Sequence, residues 1–268
     1  MTDINLAIAG ATGWTGRAIV EGALAAPDIT LKSALARTTA GQDLGTALGR
    51  EPLGVPVHAE VDAALDGVDV LVEFTSHTFA KALALAAVER GVAVVIGSSG
   101  LSSEDFEEID AAARSAGVGA VAAGNFSVTA AAALAAAELA ARLLPRWEII
   151  DYAKSTKPDA PSGTARELAE RLGGVRPPEV DFPVSEVAGY PKARGATIAG
   201  TQVHSVRVPS FVVSTEVVFG AGDERLSIRH DAGGTAEPYV NGALLAVRRA
   251  RAHTGLIRGL DRLLLAAA

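Results

Sequence analysis

One segment near the start of the chain narrows the choice of fold more than any other: Gly10-Ala11-Thr12-Gly13-Trp14-Thr15-Gly16, set between the apolar run Asn5–Ala9 and the helical pattern Arg17–Leu24. A strand, a glycine turn and a helix in that order open a dinucleotide-binding unit. The glycines let the backbone approach a pyrophosphate, and the helix N-terminus offers it free N–H groups and a positive dipole end. A glycine triplet by itself would also serve a purely structural turn. Its place at the head of a strand and helix alternation is what points to a nucleotide.

That alternation continues. Ile29–Leu35 and Val68–Phe74 read as strands, the second almost wholly apolar, as befits a strand covered on both faces. Phe79–Arg90 has helical spacing and Val92–Ile96 returns to strand. Ser102 and Ser103 stand at the N-cap of a helix over Glu104–Ser115, and Val118–Ala122 closes the series. The pattern predicts an α/β fold with a Rossmann-type parallel sheet. The character then changes. An alanine-rich helix, Val128–Leu144, ends at Pro145; Trp147–Ala153 reads as strand; Thr164–Leu172 reads as a helix stopped by Gly173-Gly174. A proline-rich loop over Val175–Lys192 precedes the strands Thr201–Val208, Phe211–Phe219 and Arg225–His230, and an amphipathic helix runs from about Glu237 to Arg251. These features predict a smaller α+β domain with a mixed or antiparallel sheet, and 268 residues suffice for two domains.

Composition excludes several functions. A net charge of −7 disfavours binding to nucleic acid or an anionic membrane, although a local basic pocket is compatible with it. With no cysteine, disulfides, thiolate metal sites and thiol catalysis are ruled out. The five histidines, 58, 77, 204, 230 and 253, show no ligand spacing, so no catalytic metal is expected. Met1-Thr2-Asp3-Ile4-Asn5 lacks the basic and apolar parts of a signal peptide, which predicts a cytoplasmic protein. The alanine-rich run carries Glu138 and Arg142 and reads as a buried helix rather than a membrane span.

The second strand speaks to the choice of nucleotide. An NAD site usually ends this strand with an acid that binds the ribose hydroxyls; here it ends Leu35-Ala36-Arg37-Thr38-Thr39. A guanidinium with neighbouring hydroxyls suits a 2′-phosphate, so NADPH is expected in preference to NADH. The competing reading of Arg37 is a solvated surface charge. Two later loops, Glu73-Phe74-Thr75-Ser76 and Gly97-Ser98-Ser99-Gly100, end further strands and offer hydroxyls and amides to ribose and nicotinamide, or else simply cap helices.

The most distinctive stretch is Lys157-Pro158-Asp159-Ala160-Pro161-Ser162-Gly163-Thr164-Ala165. Ser162, Gly163 and Thr164 open a helix whose free N–H groups can grip a carboxylate, and Lys157 adds a charge and a proton source. A capped helix with a solvated lysine is the plainer alternative. With this motif the chain resembles, over almost its whole length, the dihydrodipicolinate reductases (4-hydroxy-tetrahydrodipicolinate reductases). The glycine turn, Phe74-Thr75, Gly97–Gly100, Asn125-Phe126-Ser127 and Val203-His204-Ser205-Val206-Arg207 follow in family order. The resemblance implies a nucleotide domain of residues 1–126 and 237–268, the last helix packing back on it, and a substrate-binding and oligomerisation domain of 127–236 that builds a homotetramer. It also implies hydride transfer to a C=N or conjugated C=C bond of a small cyclic carboxylate, with Asn125 and Phe126 near the cofactor and Lys157, Gly163 and Thr164 on a substrate carboxylate.

One departure stands out. The family carries a Glu-x-His-His-type segment ahead of its lysine, and this chain has Asp151-Tyr152-Ala153-Lys154 instead. Gly124 replaces a proline, and Thr235-Ala236-Glu237 falls where the family tends to have an arginine. The candidate proton donors are then Lys157 first, with Tyr152 and Lys154 behind it, and Lys154 is also a candidate carboxylate ligand. His204 either lines the substrate pocket or decorates a strand surface. Three outcomes stay open at this level: reduction of dihydrodipicolinate with a substituted donor, reduction of another carboxylated imine or enamine, and an inactive NADPH-binding protein. The opening Gly-Ala-Thr-Gly also fits semialdehyde dehydrogenases, but those need a cysteine that this chain lacks.

Overall fold

Ile4–Ala9 forms β1, buried on both faces except at Asn5, and the glycine turn after it leads into α1, Trp14–Ala25. Next come β2 (Ile29–Leu35), the short α2 (Leu44–Ala47), β3 (Val57–His58) and α3 (Val61–Ala64). Then follow β4 (Val70–Glu73), α4 (His77–Glu89), β5 (Ala93–Ile96), α5 (Ser103–Ala116) and β6 (Gly119–Ala122). This computed structural model describes residues 3–265; Met1 and Thr2, part of the segment taken to lack a signal peptide, and residues 266–268 lie outside the described residues. A capping box fixes the start of α5, where Ser102 and Asp105 satisfy each other's backbone N–H.

The chain continues with α6 (Val128–Leu143), β7 (Arg146–Ala153), α7 (Gly163–Val175), β8 (Ala196–Ile198), β9 (Thr201–Arg207), β10 (Val213–Ala221) and β11 (Glu224–Asp231). It closes with α8 (Pro238–Arg251), β12 (Gly255–Arg258) and α9 (Leu260–Leu265). Two compact units result: one of the residues up to Val128 together with those from Thr235 onward, the other of Thr129–Gly234.

In the first unit seven strands pair in the order β12-β6-β5-β4-β1-β2-β3, all parallel. The order reverses at β1, which has β2 on one side and β4 on the other, and the carboxyl ends of the strands at such a reversal are where ligands of these sheets bind. This is a Rossmann-type sheet. Helix α8 packs against α1 so closely that a Cβ on Gly22 would overlap Val240. The sequence pattern did not reveal β12 or α9. They follow a run of arginines and are only half apolar, and β12 exists because it finds the free edge of β6.

The second unit is a five-stranded mixed sheet in the order β11-β10-β7-β9-β8. Strands β7 and β9 are parallel because α7 crosses over between them, while the other pairs are antiparallel. Trp147, Ile149 and Phe219 face Leu168 and Leu172 of α7 and the alanines Ala137, Ala140 and Ala141 of α6 in one core. The small alanines account for the unusual composition of α6, since no described helix is long and apolar enough to cross a membrane. Gly173-Gly174 does not stop α7, as the sequence had suggested; the helix continues to Val175. A Cβ on Gly173 would lie 2.6 Å from the Ala199 carbonyl oxygen, so this glycine serves close packing rather than termination.

Candidate active site

In the first unit the glycine turn is shaped by backbone contact. Gly10 has φ +82°, and a Cβ there would stand 2.3 Å from the Phe74 carbonyl oxygen. A Cβ on Gly16 would stand 2.1 Å from the Gly10 oxygen. Gly13 is the N-cap of α1 and brings no side chain to cap it, and the first turn has no acid. The opening N–H groups of α1 are left for an anion. Arg17 folds its Nε onto the Thr12 carbonyl at 2.9 Å, adding a guanidinium to the turn. Sequence reasoning missed Arg17 although it directly follows the motif. Thr12 and Thr15 are half-buried, and Trp14 is exposed with its ring edge-on to Tyr239 at 5.9 Å.

In the same unit the loops after β4 and β5 are joined by one buried acid. Glu73 is fully buried, and its Oε1 accepts from the Thr75 N–H at 2.6 Å, the Thr75 hydroxyl at 2.5 Å and the Ser98 hydroxyl at 2.8 Å. The Phe74 ring occupies the place a Gly97 side chain would take, and it meets the buried Phe126 ring edge-on at 5.5 Å. Gly10, Phe74, Thr75, Gly97, Ser98 and Phe126 are thereby assembled. Asn125 turns inward to accept from the Ser127 N–H at 2.8 Å, and Ser99 is exposed. At the end of β2, Arg37 lies 4.9 Å over the Phe79 ring of α4 beside the exposed Thr38, and the buried Thr39 hydroxyl oxygen has no partner among the described residues. A turn in which Gly10 and Gly16 leave no room for a Cβ, followed by an uncapped helix start, fits a nicotinamide dinucleotide.

The second unit builds its site on another buried acid. Asp151 of β7 is fully buried; its Oδ2 accepts from Arg207 at 2.7 Å, from the Ser162 N–H at 2.9 Å and from the Ser205 hydroxyl at 3.1 Å. Arg207 also donates to the Asp159 carbonyl at 2.9 Å, so two strands hold the loop ahead of α7. Ser162 spends its hydroxyl on the Ala165 N–H, as a helix cap. What Ser162 gives the site is the shape of the turn, from which Gly163 opens α7. Lys157 pairs with Asp159 at 2.8 Å. Burial pushes the Asp159 carboxyl up, but the Lys157 hydrogen bond and charge outweigh it and hold it below the usual carboxylate range. Lys154 is exposed and Ala153 is fully buried. Neither Asp151 nor Arg207 was singled out from sequence for this role; the partners lie 56 residues apart and no local pattern joins them.

Tyr152 and His204 are not brought to this turn. Side chains alternate along a strand, and Tyr152, between the inward-facing Asp151 and Ala153, points to the opposite face of the sheet. It donates to Glu216 at 3.1 Å, and burial first, then that carboxylate, push its phenol above the ordinary range, away from use as an acid at neutral pH. His204 lies on the same far face, 2.6 Å from Glu148, which also pairs with Arg194. Both line a groove of about 760 Å³ with Ile150, Val206 and Phe182.

A dinucleotide cradle at the switch point of a parallel sheet, accompanied by a second unit with a cationic turn, defines an NAD(P)H-dependent oxidoreductase. More narrowly, the chain belongs to the dihydrodipicolinate reductase family: residues 4–126 match the model of its N-terminus and residues 126–264 that of its C-terminus. It is 40% identical over 265 residues to the 4-hydroxy-tetrahydrodipicolinate reductase of Moorella thermoacetica, covering 97% of this chain and 98% of that one. The enzyme of that name from Synechococcus elongatus is 38% identical, with 97% and 98% covered. A solved structure of dipicolinate-bound dihydrodipicolinate reductase from Paenisporosarcina sp. TG-14 superposes with a TM-score of 0.79 at 26% identity, covering 97% of this chain and 99% of that chain.

Proposed function

We propose that this chain reduces a small cyclic imine or enamine bearing carboxylates, of the 4-hydroxy-tetrahydrodipicolinate kind that serves lysine biosynthesis, and uses NADPH in preference to NADH. The observation that carries the reading is the turn ahead of α7, which Asp151 and Arg207 hold through the Ser162 N–H and the Asp159 carbonyl, with Lys157 paired to Asp159 on it. Lys157 and the Gly163 N–H bind one substrate carboxylate, with Thr164 beside them; Lys157 is also the first candidate for the proton, with the exposed Lys154 behind it. The nicotinamide, when bound, supplies the hydride. Preference for the 2′-phosphate is supported by the absence of an acid at the end of β2 and by Arg37, Thr38 and Thr39 in its place.

The buried Ala153 and exposed Lys154, standing where the family has its histidine pair, favour a second reading: the same hydride transfer to a different carboxylated imine or enamine. NADPH oxidation with 4-hydroxy-tetrahydrodipicolinate separates the two. Turnover at a rate set by Lys157 supports the first, and tight NADPH binding without turnover removes it. We further propose a homotetramer formed through the open sheet face, whose half-buried Ile150, Val206 and Val218 line the groove described above. Light scattering tests it, a monomer being the contrary result.

A further inference from the structure

Glu73 does more than brace two loops. Its Oε1 takes all three donors that the surrounding residues provide, from Thr75 and Ser98, while Oε2 is buried with no partner among the described residues. A buried carboxylate oxygen without a donor is costly to maintain, and it is satisfied either by an ordered water or by a donor that arrives with a ligand. The position is specific. Glu73 ends β4 next to the switch point, Phe74 lies against Gly10 of the turn on one side, and Ser98 sits in the loop just after the neighbouring β5 on the other. The phosphates belong to the glycine turn and repel a carboxylate. The adenosine half is assigned above to the end of β2, on the other side of β1 from β4, so what remains of a dinucleotide to meet an acceptor here is the nicotinamide riboside, whose donors are the ribose hydroxyls and the carboxamide N–H.

Resting on the dinucleotide reading above, we infer that Glu73 is a cofactor-binding residue whose Oε2 accepts a hydrogen bond from the nicotinamide riboside. Glu73→Gln is close to isosteric. It keeps an acceptor for Thr75 and Ser98 and sets an NH2 where Oε2 was, so donor faces donor at that one point. Calorimetric titration with NADP+ and with adenosine 2′,5′-bisphosphate, which carries the phosphates but lacks the nicotinamide riboside, reads the difference. The expected result is an affinity for NADP+ weakened by about 10-fold or more, the worth of a hydrogen bond to a charged group, with the bisphosphate unchanged within about twofold.

With 3-acetylpyridine adenine dinucleotide phosphate, loss of the variant's penalty assigns the bond to the carboxamide, and its persistence assigns it to a ribose hydroxyl. Glu73→Asp, which keeps the charge but withdraws it by one methylene, runs the same comparison if the amide variant does not fold. Equal weakening of both ligands, or of neither, overturns the inference. Wild-type protein that takes up neither ligand overturns the dinucleotide reading itself.

Discussion

The two candidate binding regions solve the same problem, holding an anion in a defined place, by different means. In the first unit the turn is made of backbone pressed on backbone, with Gly10 against Phe74 and Gly16 against Gly10, and side chains are excluded by contact. In the second the turn ahead of α7 is held by side chains from two strands, Asp151 and Arg207, that reach it from afar. A site built by exclusion tolerates no added atom. A site built by a polar network tolerates no missing one.

The sharpest break between them is Asp151→Ala. Removing one member of a buried ion pair leaves Arg207 uncompensated and costs about 3–5 kcal/mol. Thermal unfolding should show that loss, the substrate KM should rise, and the affinity for adenosine 2′,5′-bisphosphate should stay put. Asp151→Leu combined with Arg207→Met should cost less than the two single changes added together. Loss of nucleotide affinity along with the fold of the second unit would erase the distinction.

Gly10→Ala probes the opposite region. A left-handed backbone and a Cβ inside the Phe74 carbonyl contact cost roughly 2–4 kcal/mol of stability together, and the displaced turn should lower NADPH affinity in calorimetry. Arg37→Ala is milder: it should remove about 1–3 kcal/mol of the preference for NADPH over NADH and leave NADH binding unchanged. An unchanged ratio would mark Arg37 as a surface charge.

The smallest effect belongs to pH. Burial holds His230 of the second unit below its ordinary pKa, 3.1 Å from the Thr129 hydroxyl. The unfolded chain therefore takes up this proton first as pH drops below about 6.5. Stability from the neutral ring is present above that value and is lost as pH falls through the lower, folded one. Unfolding temperatures measured between about pH 7 and pH 5 should fall less steeply in His230→Gln than in the wild type.

The same contrast explains which features are legible in the amino-acid sequence alone. Exclusion leaves a local trace, because a position that admits no Cβ must be glycine, and so Gly10 and Gly16 are legible along with the strand and helix they join. Apolar runs that fill both faces of a sheet, such as Val70–Val72 and Ala93–Ile96, were equally plain. A network leaves no such trace: Asp151 and Arg207 looked like ordinary strand residues, and Glu73 like the polar end of an apolar strand. Tyr152 and His204 were drawn toward the lysine turn by nearness in sequence or by a polar neighbour, whereas strand alternation sets them on the far face. Gly173 shows the reverse error, a glycine read as punctuation that exists for packing. The edge strand β12 is made by its neighbour β6 rather than by its own pattern.

The central claim is that the turn ahead of α7 grips a carboxylate through Lys157 independently of the nucleotide cradle. Calorimetric titration of pyridine-2,6-dicarboxylate into the NADP+-loaded protein, with Lys157→Met alongside, tests it directly. The account predicts binding to the wild type, a loss of about 10- to 100-fold in the variant, as for one charge-assisted hydrogen bond, and an unaltered affinity for NADP+. Equal affinity of the dicarboxylate for the two proteins would contradict it.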